Sequence, residues 1–302
     1  MRLTAKPGRS AALPWLHALL ALAIVAVWGT NFVVIKVGLA RFPPMLFAAL
    51  RYSIAFAPMA LIVRRPKVPW RNLAAYGLFI GVGQFGMVYL AMNGQITPGL
   101  ASLVLQVQVV FTIGLSARLL GERVTPFQIG AVGLAAVGIA VIGFHAGGEV
   151  TPLGLALVLI AAFSWACANM VTKQTPGVDM LGFVVWASIF CVPPLFALSL
   201  IFEGVPAIMT ALRTAGPPAW GALLWQTFGN TLFGYVAWAW LLNRHPAATI
   251  APASLLVPVF GMGASAWLLA EPLPLWKLAA AGLVISGLAL NTLGPRFAGK
   301  AP

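Results

Sequence analysis

Ten apolar runs, each about as long as a bilayer is thick, follow one another along this chain with short polar breaks between them. They cover roughly 15–35, 43–63, 73–93, 97–119, 126–144, 152–172, 180–202, 217–242, 247–269 and 274–293. A helix needs about 20 apolar residues to cross the hydrocarbon core. It also satisfies its backbone polar groups internally, which irregular chain in lipid cannot do. The expected fold is therefore an all-α integral membrane protein of ten transmembrane helices. Composition agrees: only 8% of the 302 residues are charged, against about 25% in soluble domains. The longest break, around 203–216, reads as a loop and leaves no room for a soluble domain. The first run follows Arg2, Lys6 and Arg9, as a signal peptide would. It is too long for one, and so reads as an uncleaved first helix.

The net charge of +13 raises nucleic acid as a partner, but the basic residues stand singly between apolar runs. They read instead as loop charges that set orientation. With the N-terminus in the cytoplasm, the cytoplasmic side holds Arg2, Lys6, Arg9, Arg64, Arg65, Lys67, Arg71, Arg118, Arg123, Lys173, Arg244, Arg296 and Lys300. The external side then holds only Lys36, Arg41, Arg213 and Lys277, so both termini are expected inside. Cys167 and Cys191 lie within apolar runs and without ligand spacing, so they read as small buried hydrophobes. No metal or cofactor is expected.

The chain repeats itself. "AIVAVWGTNFVVIK" (23–36) and "IAAFSWACANMVTK" (160–173) share a plan at an offset of 137, which places Trp28 on Trp165 and Lys36 on Lys173. "LSARLLGERVTPFQIGAVGLAAVGIA" (115–140) matches "ASAWLLAEPLPLWKLAAAGLVISGLA" (264–289) at an offset of 149, which places Glu122 on Glu271. "FGMVYLA" (85–91) likewise matches "FGYVAWA" (233–239). Two halves of five runs, 15–144 and 152–293, must insert in opposite directions. An inverted repeat of this kind is a transporter architecture, with its site near the midplane and access alternating as the halves rock.

Polar groups in hydrocarbon should face the interior or a wet cavity. Candidate substrate-binding residues are Trp28 and Asn31 in the first run, Gln84 in the third and Trp165 and Asn169 in the sixth. Trp186 of the seventh run joins them, with Gln226, Asn230 and Trp238 of a four-spaced stripe in the eighth. Gln106 and Gln108 diverge by about 160° on a helix, so at most one points inward. Trp15, Trp70 and Trp276, at run ends, read as interfacial anchors. Pro258, with Gly261 beyond it, and Pro193 with Pro194 are expected to break or gate their helices. The equivalent of Pro258 in the fourth run is Val109, so the two halves are expected to bend unequally. Gly130, Gly133, Gly138, Gly282 and Gly287 read as close-packing or dimer-contact positions, and the oligomeric state is left open, a monomer being compatible. Arg51 lies deep in the second run and either caps carbonyls or meets a substrate carboxylate.

"WGTNFVVIK", "WACANMVTK" and the run from Gly234 to Leu290 resemble the repeated EamA domain of the drug/metabolite transporter superfamily, over nearly the whole chain. Within it the chain is most similar to bacterial amino-acid exporters, especially the aromatic type. The resemblance implies efflux of small metabolites across the bacterial inner membrane. Small drug exporters of that superfamily use a membrane-embedded Glu in their first span, and "VAVWGTNF" has none. Glu122, Glu149, Asp179, Glu203 and Glu271 all fall outside mid-span positions, and His17, His145 and His245 lie at run ends. The expected activity is therefore export of aromatic and other neutral amino acids, or similar zwitterionic metabolites, without strict proton coupling. Alternatives are a proton-coupled drug/metabolite exporter, a nucleotide-sugar-type antiporter and a non-transporting accessory protein. A phosphate-bearing ligand would want several cavity cations, where only Arg51 is available. Paired aspartates, H-E-x-x-H and a Ser/His dyad are all missing from the runs, so an enzyme is not expected.

Overall fold

The computed structural model describes residues 14–145, 148–175, 177–245 and 247–298. Arg2, Lys6, Arg9 and Lys300, which entered the charge count, lie outside them.

The chain is a bundle of helices. Its first half holds α1 (Trp15–Leu39), α2 (Pro44–Leu61), α3 (Trp70–Met92), α4 (Pro98–Leu120) and α5 (Pro126–Phe144). The second holds α6 (Pro152–Lys173) and α7, which is Met180–Leu198 prolonged by a π-helical turn, Ser199–Glu203. Then come α8 (Gly204–Thr214), α9 (Pro217–Leu224, Trp225–Phe233 and Gly234–Arg244 in unbroken succession), α10 (Ala247–Ile250, Ala251–Leu256 and Val257–Leu269) and α11 (Leu275–Ala298). Among the described residues nine helical stretches are long and apolar enough to cross a membrane. The α9 stretch, rich in Gln, Asn and Trp, is a tenth of similar length.

Local chemistry sets the ends. Proline at the first helical position starts α2, α4, α5, α6 and α9, where its missing N–H costs nothing. Thr125 and Gln128 form a capping box on α5, Thr151 caps α6, and Asp179 accepts from the N–H groups of Leu181 and Gly182. Most of the 203–216 stretch, expected as a loop, instead forms α8. Gly204, with φ of +79°, ends α7. The new helix buries Ala211 while leaving Val205, Met209 and Leu212 exposed.

Two departures from α geometry fall at matching places in the two halves. Leu78–Gly86 in α3 and Trp225–Phe233 in α9 are π-helical, a rare form that is frequent at functional sites. Leu105–Val107 in α4 and Ala251–Leu256 in α10 are 3₁₀. The interruption in α4 spans three residues without a proline and that in α10 six with one. Pro258 sits in the first turn of the segment that follows the 3₁₀ stretch in α10. Pro193 and Pro194 lie inside an uninterrupted helix.

Helix pairs in contact are α1 with α9 and α10, α6 with α3 and α4, α2 with α7, α4 with α10, and α5 with α11. Gly261 lies where α10 crosses α4 and α1, facing Ser102 and Gly29 closely enough that a side chain there would collide. The main core runs from Phe32 through Tyr89 and Phe183 to Leu288, while Ala21, Ile24, Ala237, Leu241 and Ile250 form a smaller one. Outside stand exposed Leu19, Ile129, Phe144, Ile160, Phe202 and Trp267, a surface that suits lipid.

Candidate functional site

The bundle has two unlike ends. We call the end carrying the start of α1 and the 121–125 and 174–179 connections the terminal face. The other, carrying the 40–43, 93–97, 145–151 and 270–274 connections, is the distal face.

A cavity of about 310 Å³ opens at the terminal face between α4 and α6. Gln108, Thr112 and Ser116 line it from α4, and Asn169 and Lys173 from α6. Both sets step by four residues, which stacks them along one face of each helix. Asn169 Nδ2 donates to Gln108 Oε1 at 3.1 Å and to Thr112 Oγ1 at 3.3 Å. One turn nearer the mouth, Lys173 Nζ donates to Ser116 Oγ at 2.8 Å and to Glu122 Oε1 at 2.9 Å. The Lys173–Glu122 pair is half-exposed, with side chains 41% and 52% accessible. Arg123, Gln128 and Asn291 complete the polar wall. The cavity thus offers an amide and hydroxyl floor below a mouth carrying both signs of charge.

The distal face carries a second, wider cavity of about 650 Å³, lined by Arg41, Asn93, Glu203 and Thr210 among others, and beside it a cluster of buried ion pairs. Lys277 Nζ contacts Glu149 and lies 2.9 Å from Glu271 Oε1. Glu271 also accepts from Thr97 Oγ1 at 2.6 Å and from the N–H of Gly99 at 3.0 Å, which ties α10 to the start of α4. Glu203 accepts from the N–H groups of Met45 and Leu46 at 2.6 and 3.0 Å, capping α2 from α7. Lys277 is fully buried, which corrects its assignment to an external loop.

Below these ion pairs a polar network joins α1, α2, α3 and α9. Gln226 Nε2 donates to Asn31 Oδ1 at 2.6 Å, and the Tyr89 hydroxyl to Gln226 Oε1 at 3.1 Å. Arg51 donates to Tyr89 and Thr231.

The residues singled out from sequence are therefore distributed over several places. Asn31, Gln226 and Asn230 come together, buried, where α1 meets α9. Trp28 joins them by donating to the Asn230 carbonyl at 3.3 Å and lies against Trp238, ring centroids 5.2 Å apart, above Gly234. Gln84 is buried in the π-helical part of α3, and its Oε1 has no partner among the described residues. Asn169 lines the cavity, while Trp165, one turn away, packs half-buried on the main core. Trp186 is remote: its indole donates to the Val63 carbonyl at 2.9 Å, near the terminal face. The sequence reading missed Thr112, Ser116, Glu122 and Lys173 as cavity residues. The four-residue steps from Gln108 to Ser116 and from Asn169 to Lys173 were the available signal.

The sequence pattern of the EamA-like transporter family matches residues 15–144 and again 152–293. A probable amino-acid metabolite efflux pump of Salmonella typhimurium is 41% identical over 283 residues, 92% of this chain and 95% of that protein. Its namesake in Escherichia coli is 40% identical over the same shares. A probable terminal-alkyne amino-acid exporter of Streptantibioticus cattleyicolor is 29% identical, covering 92% of this chain and 95% of its own. One solved crystal structure matches with a TM-score of 0.64 at 18% identity, covering 95% of this chain and 99% of that one. That match speaks to the fold alone.

Proposed function

Since the chain belongs to the EamA-like transporter family, we propose that it exports neutral amino acids, aromatic ones among them, and similar zwitterionic metabolites across the bacterial inner membrane. It is a multi-pass membrane transporter and not an enzyme. The observation that carries the substrate reading is the cavity mouth. A zwitterion brings one carboxylate and one ammonium, and Lys173 and Glu122 present the complementary charges 2.9 Å apart. Exchanging this half-exposed pair for substrate costs little, because such pairs contribute about 0–1 kcal/mol. The floor of Gln108, Thr112 and Asn169 supplies further donors and acceptors. A volume of about 310 Å³ is at the lower end of small-molecule pockets, and suits an amino acid. The names of the amino-acid exporters among the relatives support the same class.

Transport proceeds by alternating access between the halves 15–144 and 152–293. Exchanging each helix for its repeat counterpart maps the packing pairs onto themselves: α1 on α9 becomes α6 on α3, and α1 on α10 becomes α6 on α4. That supports an inverted repeat. With the basic loops inside, the terminal face is cytoplasmic, so the cavity awaits solute from within. Without a mid-span carboxylate, flux runs down the solute gradient and does not need a proton gradient. Uptake by proteoliposomes tests this, using a panel of neutral amino acids, nucleosides and cationic drugs with and without a pH gradient. Amino-acid flux that survives collapse of the gradient is expected. Flux of cationic drugs alone, or none without a proton gradient, defeats the reading.

A further inference from the structure

Arg51 is the bulkiest fully buried side chain among the described residues, and it has no counter-ion among them. The chain has five acidic residues, and each is committed elsewhere. Glu122 pairs with Lys173, and Glu149 and Glu271 with Lys277, while Asp179 and Glu203 accept from helix N-termini. Among the described residues Arg51 meets neutral groups: the Tyr89 hydroxyl at 2.9 Å, Thr231 Oγ1 at 2.6 and 3.2 Å, and the Phe85 and Tyr52 rings at 3.8 and 5.2 Å. A guanidinium has five N–H donors, so these bonds leave some unused.

Beside it lies a small cavity of about 10 Å³ lined by Arg51, Tyr52, Tyr76, Cys191, Thr231 and Tyr235, room for about one water-sized particle. Tyr52 belongs to this lining, and its hydroxyl is buried and has no hydrogen-bond partner among the described residues. A buried cation without an anion and a buried hydroxyl without an acceptor are both costly. One negatively charged acceptor in the cavity relieves both, where a water molecule would leave the charge uncompensated. We propose that Arg51 and Tyr52 bind a single small monovalent anion inside the bundle, either a halide or one carboxylate group.

The two sources separate in one experiment on the purified full chain. Its thermal midpoint is measured in sodium chloride, bromide and isethionate, a larger sulfonate, at equal ionic strength, then in isethionate with a neutral amino acid or its amide. A rise of about 3 °C in chloride or bromide over isethionate identifies a halide. The same rise with the amino acid and not its amide identifies the carboxylate. In either case Tyr52→Phe, which keeps the ring, should raise the half-saturating concentration about tenfold. Midpoints that ignore every anion, or a Tyr52→Phe chain with the wild-type response, overturn the site. The carboxylate arm rests on the export reading. A halide response without any amino-acid response counts against that reading and leaves the anion site standing.

Discussion

At the cavity mouth Lys173 Nζ holds Ser116 Oγ and both oxygens of Glu122 within 3.2 Å. These contacts are exposed and cheap to exchange. Lys173→Met should therefore leave the yield of folded protein near wild type and raise the KM for amino acids about tenfold, as expected when a charge-assisted hydrogen bond is lost. Proteoliposome kinetics check this. The charge swap Lys173→Glu with Glu122→Lys restores an ion pair but reverses it. Recovery of transport in the swap would show that the pair is structural only. A second residue-scale case is Ala270, which ends α10 with φ of 53° where its repeat counterpart Gly121 ends α4 with φ of 66°. The left-handed region penalises a side chain by about 1 kcal/mol. Ala270→Gly should therefore raise thermal stability slightly, by about 0.5–1 kcal/mol.

The helix interruptions show where sequence patterns stop being informative. Apolar runs reveal helices because lipid admits little else, but a four-residue step assumes α geometry. In α9 the Thr231 hydroxyl bonds back to the Gln226 carbonyl, five residues earlier, as a wider π turn allows. Nothing in the apolar pattern marks that. Nor does hydropathy reveal the partners of a charge: Lys277 looks like a loop residue until Glu149 and Glu271 are brought to it by folding. The matching glutamates now differ sharply in setting. Glu271 is buried on Lys277 and Gly99, while Glu122 is half-exposed on Lys173. Glu271→Gln should cost about 2 kcal/mol or more, because it leaves a buried lysine less well compensated. Glu122→Gln should cost less than about 1 kcal/mol. Thermal unfolding of the two variants side by side checks the contrast, and equal losses would contradict it.

At the scale of the molecule the all-helical membrane fold class was legible from the succession of apolar runs. The cavity was not, because it is made by α4 and α6 meeting across a long sequence separation. Orientation is testable by impermeant thiol labelling: a cysteine at Gly148 should react from outside the cell and one at Lys67 should not. The most direct test of the proposed function is labelling inside the cavity. Thr112→Cys, in a chain with Cys167 and Cys191 replaced by Ala, is exposed to an impermeant thiol reagent in inside-out and right-side-out vesicles. The expected result is fast labelling from the cytoplasmic side, slowed by neutral amino acids and not by their amides. Labelling confined to the outside, or a rate that no amino acid alters, would contradict a cytoplasm-facing cavity that binds zwitterionic solutes.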